Sequence, residues 1–114
     1  LDKNLVINGS GDQTRSFCFI DDLIDGLIKF MKSTFKGTVN FGNPYQEYSI
    51  SDMAKIIKNK INPNISLENR SLDNDDPFKR KPNIERARNI LQWDPTINID
   101  TGLDKTISYF KEIL

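Results

Sequence analysis

The run Gly11-Asp12-Gln13-Thr14-Arg15-Ser16-Phe17-Cys18-Phe19-Ile20-Asp21-Asp22-Leu23 constrains this chain more than any other stretch. It joins, in order, a polar loop led by glycine, an arginine, a short apolar strand and the start of a capped helix. That order puts Arg15 at the mouth of a fold element. A glycine-led loop lets backbone approach a ligand closely, and a guanidinium beside it suits an anionic group such as a phosphate. On pattern alone, a Gly-led turn before a strand is more often a plain hairpin connection. A second motif, near residue 80, shifts that balance.

At 114 residues the chain has the size of one domain with one modest core. Sixteen Lys and Arg cancel sixteen Asp and Glu, so a nucleic-acid or membrane-surface protein with a broad electrostatic footprint is excluded and any anion site must be local. No apolar run approaches the length of a membrane span, and the start lacks the series of a signal peptide, so the chain is expected to be soluble and cytoplasmic. Leu1 in place of an initiator methionine is expected of a processed chain or of a piece of a longer one. The chain has no histidine, which removes the commonest general base and metal ligand, and the lone Cys18 can complete neither a thiolate zinc site nor an internal disulfide. Between Phe17 and Phe19, Cys18 reads as a buried apolar thiol.

Apolar periodicity predicts a small α/β domain of short strands and about four helices. Strands are expected at Leu5-Val6-Ile7, from Ser16 to Ile20, around Val39 and Phe41, and at Ile65 and Leu67. Asp21 or Asp22 is expected to cap a helix whose Leu23, Ile24, Leu27, Ile28 and Met31 form one apolar stripe, with Gly26 marking a close approach. Ser49 and Asp52 have capping-box spacing ahead of Met53, Ile56, Ile57 and Ile61. Asn83 can cap a short helix carrying Ile84, Ala87, Ile90 and Leu91, with Pro95 beyond its end. Trp93 is expected to plug the core there. Leu103, Ile107, Phe110 and Leu114 give a last amphipathic helix starting near Asn98 or Asp100. The longest irregular stretch runs from Asn69 to Lys81. Its Asp73, Asp75 and Asp76 lack the Gly and Glu positions of a calcium loop, and no metal site is expected.

Three motifs occur in the order and spacing of one family: the loop Gly11 to Phe17, the run Asp75-Asp76-Pro77-Phe78-Lys79-Arg80-Lys81-Pro82-Asn83-Ile84, and Leu91-Gln92-Trp93-Asp94-Pro95. On these the chain resembles the C-terminal part of the extended short-chain dehydrogenase/reductases that act on nucleotide sugars, the NAD-dependent epimerase/dehydratase family, and most closely its UDP-glucuronate decarboxylases. The resemblance implies that residues 1–114 are the nucleotide-sugar-binding domain, that NAD is bound by an N-terminal Rossmann half not present here, and that the intact enzyme is a homodimer. The residues agree with that division. Gly9-x-Gly11 is followed by Thr14 where a dinucleotide fingerprint needs its third glycine, and it leads into a strand candidate instead of a helix. None of Tyr45, Tyr48 and Tyr109 is followed four positions on by the lysine of a Tyr-x-x-x-Lys pair. The piece alone is therefore expected to be inert.

A UDP-sugar needs fixed cations for its diphosphate and polar groups for its base and ribose. The resemblance places the arginine of the Gln-Thr-Arg-Ser-Phe loop and that of the Arg-Lys-Pro segment at this site, which maps onto Arg15 and Arg80. Gln13 and the backbone of the preceding loop are further candidates, for the base. Without the resemblance, Lys79-Arg80-Lys81 reads as a solvated basic turn. The position after Lys-Pro is often aspartate in the family and is Asn83 here, which keeps helix capping and puts a charged role there in doubt. The implied reaction of the intact enzyme is NAD-dependent conversion of UDP-glucuronate to UDP-xylose with loss of carbon dioxide. A dTDP-glucose 4,6-dehydratase, a UDP-glucose 4-epimerase, or a non-catalytic UDP-sugar-binding module remain open as alternatives.

Overall fold

A computed structural model describes residues 3–71 and 78–114. The elements run β1 Leu5–Asn8, β2 Thr14–Ser16, α1 Ile20–Lys32, β3 Glu47–Ser49, α2 Ile50–Ile61, β4 Leu67–Arg70, β5 Lys79–Arg80, α3 Glu85–Leu91 and α4 Ile99–Ile113. The mixture of short strands and four helices is the α/β class expected. The chain forms two compact units, where the length had argued for one core. The first comprises Leu1–Arg15, Tyr48–Arg80 and Leu103–Leu114, and the second comprises Ser16–Glu47 and Lys81–Gly102.

In the first unit β1 and β4 pair in parallel, Leu5 opposite Leu67 and Ile7 opposite Asn69. A parallel pair needs a long crossover, and α2 lies within it, packed on β1. Ile7, Met53, Ala54 and Ile65 are the buried apolar residues of this unit. The start of α2 follows the expected capping chemistry: Ser49 Oγ accepts from Asp52 N at 3.0 Å. β2 belongs to a second sheet of order β3-β2-β5.

In the second unit Ile84, Ala87, Leu91 and Trp93 form the buried cluster, with Phe30, Val39 and Phe41 against it. Trp93 is fully buried, as expected, and its Nε1 donates to Asp22 O at 2.9 Å. Phe41 meets Trp93 edge to face at 5.1 Å between centroids, a geometry the ring quadrupoles favour. Gly26 is the close approach anticipated: a Cβ there would lie 2.7 Å from the Phe41 ring and 3.0 Å from Trp93 Nε1. Helix α3 ends where Gln92 adopts the left-handed conformation (φ 50°), with Trp93 N donating to Ala87 O. Pro95 therefore lies beyond a stop already made.

Four local expectations change. The second strand is Thr14–Ser16 and not Ser16 to Ile20, because Phe19 already takes the N-cap position of α1 and Phe17 N donates to Gln46 O. Val39 and Phe41 pack against the core from an irregular segment instead of a strand. Asp22 does not cap its own helix. It is buried, and its carboxylate accepts from Thr96 N, Thr96 Oγ1 and Ile97 N.

The fourth concerns the stripe on α1, which is not the buried face of that helix. Leu23, Ile24, Leu27, Ile28 and Met31 are all exposed, and the helix turns Asp22, Gly26 and Phe30 toward its own unit instead. The last helix is likewise half-buried at Leu103 and Ile107 but exposed at Phe110, and Leu114 just past its end is exposed too.

Candidate functional site

Strands β2 and β5 pair in parallel with Thr14 opposite Lys79 and Arg15 opposite Arg80. In-register residues of neighbouring strands project to the same face, so the pairing brings the two predicted arginines side by side. Thr14 N donates to Phe78 O at 2.9 Å and ties the start of β5 to β2. Arg15 is half-buried and its Nη1 donates to Thr14 O at 2.7 Å, which turns the guanidinium back along its own strand. Arg80 is exposed. Like charges directly opposite one another across strands repel, and an anion lying against both would offset that repulsion.

The loop ahead of β2 is held on three sides. Gly9 and Gly11 take positive φ of 77° and 84°, a region that glycine reaches without strain. Ser51 N donates to Gly11 O and Ile50 N to Gln13 O, each at 2.9 Å. Gln13 is 4 % exposed and its Nε2 donates to Asn8 O at 3.0 Å. So enclosed, the Gln13 side chain bridges the two ends of the loop, and Ser10 and Asp12 are the loop residues left exposed. Asp73, Asp75, Asp76 and Pro77 lie outside the described residues. Among the described residues no group of three or more His, Cys, Asp or Glu is arranged to hold a metal ion, and no helix is long and apolar enough to cross a membrane.

Sequence reasoning identified both arginines but had no means to pair them. Strand β5 is two residues long, too short to carry a period, and its partner is remote in sequence. Lys79 beside Thr14 was missed for the same reason: a basic triplet on an irregular loop looks solvated until one of its members is seen in a ladder.

No family model matches the chain. A UDP-glucuronic acid decarboxylase of Xenopus tropicalis is 41 % identical over 112 residues, which is 98 % of this chain and 26 % of that protein. One from Arabidopsis thaliana is 39 % identical over 108 residues, 95 % of this chain and 24 % of the relative. Among solved structures, a UDP-glucuronic acid 4-epimerase from Bacillus cereus, in complex with UDP-glucuronic acid and NAD, superposes with a TM-score of 0.85 at 28 % identity, over 99 % of this chain and 37 % of that one. The chain is similar to members of the NAD-dependent epimerase/dehydratase family. It spans about a quarter of the length of the curated relatives it matches. The UDP-glucose 4-epimerase of Thermotoga maritima, solved with UDP-glucose, shares the family fold at a TM-score of 0.89 and 20 % identity, over 96 % of this chain and 35 % of that one.

The Gly9–Gly11 loop does not fit the pyrophosphate of a dinucleotide. The Gly9–Gly11 loop leads into strand β2, so no helix N-terminus faces a pyrophosphate there. The open side of Gly11 is also filled by protein: a Cβ on it would meet Ser51 Cβ at 3.0 Å, Ile7 Cγ2 at 3.1 Å and Ser51 N at 3.2 Å. These glycines shape a packed turn instead of a cradle.

Proposed function

We propose that this chain is the nucleotide-sugar-binding portion of a UDP-glucuronate decarboxylase that makes UDP-xylose, and that it is not catalytic by itself. The observation that carries the reading is the register placing Arg15 beside Arg80, in a chain 41 % identical to a protein of that name. The two guanidiniums bind the diphosphate of the UDP-sugar. Each charge-assisted contact contributes about 1.5–3 kcal/mol. Gln13 holds the loop of residues 9–12 so that its backbone meets the base. The remainder of the polypeptide binds NAD, which supplies the hydride chemistry, and carries the contacts of a cytoplasmic homodimer. This portion binds and orients the substrate and helps exclude water from it.

A second reading keeps the substrate and changes the reaction. The likeness to the UDP-glucuronic acid 4-epimerase of Bacillus cereus, at 28 % identity over 99 % of this chain, favours an epimerase that takes UDP-glucuronate. The higher identity to the decarboxylases ranks that reading first. Isothermal titration of UDP tests the shared site. The chain is expected to bind UDP weakly, because part of the pocket wall is missing, and Arg15→Ala to weaken binding by roughly tenfold or more. Equal affinity of variant and parent removes Arg15 from the site. With the family-length enzyme, release of carbon dioxide from UDP-glucuronate separates decarboxylase from epimerase.

A further inference from the structure

Asn8-Gly9 is the only Asn-Gly pair in the chain, and every other asparagine is followed by a residue with a side chain. An asparagine ahead of glycine is chemically labile, because a peptide nitrogen with no Cβ beside it reaches the asparagine Cγ unhindered. Asn8 ends β1 and is exposed, and Gly9 follows it at a positive φ of 77°. The pair therefore sits where β1 turns into the loop of the candidate site. Hydrogen bonds hold both residues: Gly9 N donates to Arg70 O, Asn69 Nδ2 donates to Gly9 O at 2.7 Å, and Gln13 Nε2 donates to Asn8 O at 3.0 Å. The first of these engages the very nitrogen that has to attack. The register that sets Asn8 opposite Arg70 keeps Asn8 in an extended strand as well. Asn69 and Arg70 are exposed and are the last two residues of β4, in a sheet of two strands. The end of such a ladder opens at far lower cost than a core element.

We infer that Asn8 is a deamidation site, gated by opening of the β1–β4 ladder at Asn69 and Arg70. Once the ladder end opens, Gly9 N gives up its proton and bonds to Asn8 Cγ. The Cγ–Nδ2 bond breaks and ammonia leaves with that proton, closing a five-membered succinimide. Water then adds to either imide carbonyl. Opening at Cγ leaves aspartate, and opening at the main-chain carbonyl leaves isoaspartate, with the chain running through Cγ. No electrons are transferred, and one water is taken up for each ammonia released. The isoaspartate product lengthens the backbone by one atom and turns Asn8 O into part of a free carboxylate. That oxygen is the acceptor of the enclosed Gln13 amide, which bridges the two ends of the loop. Both products also place a new negative charge ahead of Arg15. Under the proposed function either one weakens anion binding, and the deamidation itself does not require that function.

Incubation of the 114-residue chain at mildly alkaline pH, followed by mass spectrometry of the tryptic peptide 4–15, tests this. In urea Asn8 is expected to deamidate faster than any other asparagine of the chain. In the folded chain it is expected to be slower by roughly tenfold or more, and Asn69→Ala to raise the folded rate by roughly threefold or more while leaving the rate in urea unchanged. Exchange of the Gly9 amide hydrogen, followed by NMR in the same samples, is expected to rise by the same factor as deamidation. An Asn8 that stays intact in urea overturns the site. A folded parent that deamidates as fast as the chain in urea, or a folded Asn69→Ala variant with the parent's rate, overturns the gate. Should Asn69→Ala unfold, the parent decides alone: in urea below the unfolding transition, Asn8 deamidation and Gly9 exchange must increase together, and deamidation that rises without Gly9 exchange overturns the inference.

Discussion

Asp22→Ala is expected to destabilise the second unit more than any single surface change, and its size follows from three hydrogen bonds. The Asp22 carboxylate accepts from Ile97 N at 2.9 Å, from Thr96 N at 3.2 Å and from Thr96 Oγ1 at 3.3 Å. Alanine leaves the two backbone N–H groups without their acceptor in a part-buried site. Each such group costs about 1–3 kcal/mol. Summed with allowance for neighbours that share one acceptor, the loss is about 2–5 kcal/mol, a large part of the about 5–15 kcal/mol that stabilises an ordinary domain. With a urea slope of about 2 kcal/mol/M, the midpoint should fall by roughly 1–2.5 M. The chain has one tryptophan, Trp93, which is buried and bonded to the backbone of Asp22, so its fluorescence reports the unit in question. Asp22→Asn keeps one acceptor oxygen and should fall between parent and alanine. A loss below about 0.5 kcal/mol for Asp22→Ala, the range of ordinary surface substitutions, would refute the claim that this carboxylate holds residues 96–97 in place.

Two further outcomes follow from local geometry. Gln92→Gly should raise the urea midpoint, because Gln92 has φ 50°, and relief of the left-handed conformation outweighs the extra chain entropy of glycine by about 0.5–1 kcal/mol; a lowered midpoint would mean that the Gln92 Nε2 bond to Asn89 O matters more than the backbone. The Cys18 thiol is pushed above its ordinary value, first by burial and second by the Asp22 carboxylate. The neutral thiol is therefore favoured in the folded chain, so its contribution to stability is complete below the unfolded thiol's pKa and is lost as pH rises through the higher folded value. Alkylation of Cys18 near pH 8.5 should accordingly be slower in the folded protein than in urea; equal rates would contradict the shift.

Much of the secondary structure was legible because its signals are local. Ser49 caps α2 through the residue three positions on, and Asn98 accepts from Thr101 N at the start of α4. Both are contacts within one turn and need nothing from elsewhere. Trp93 and Gly26 were legible for another reason: a large aromatic and a mid-helix glycine each have few stable placements. The candidate site was half legible. Arg15 and Arg80 stand out by residue type and neighbours, but their pairing depends on a ladder between a strand of three residues and one of two, which no periodicity can announce.

The face that α1 presents to its own core was not legible at all. Apolar spacing shows which side of a helix avoids water, not which surface covers it. The sequence by itself determined that α1 is a helix with one apolar side, that loop 9–12 turns on glycine, and that Arg15 and Arg80 are the candidates for an anion. Only the tertiary structure decided that α1 turns Asp22, Gly26 and Phe30 to its own unit, that Asp22 caps a distant loop, and that Gln13 is enclosed. Those outcomes depend on contacts between residues remote along the chain, such as Asp22 with Ile97, and only the folded chain brings such partners together.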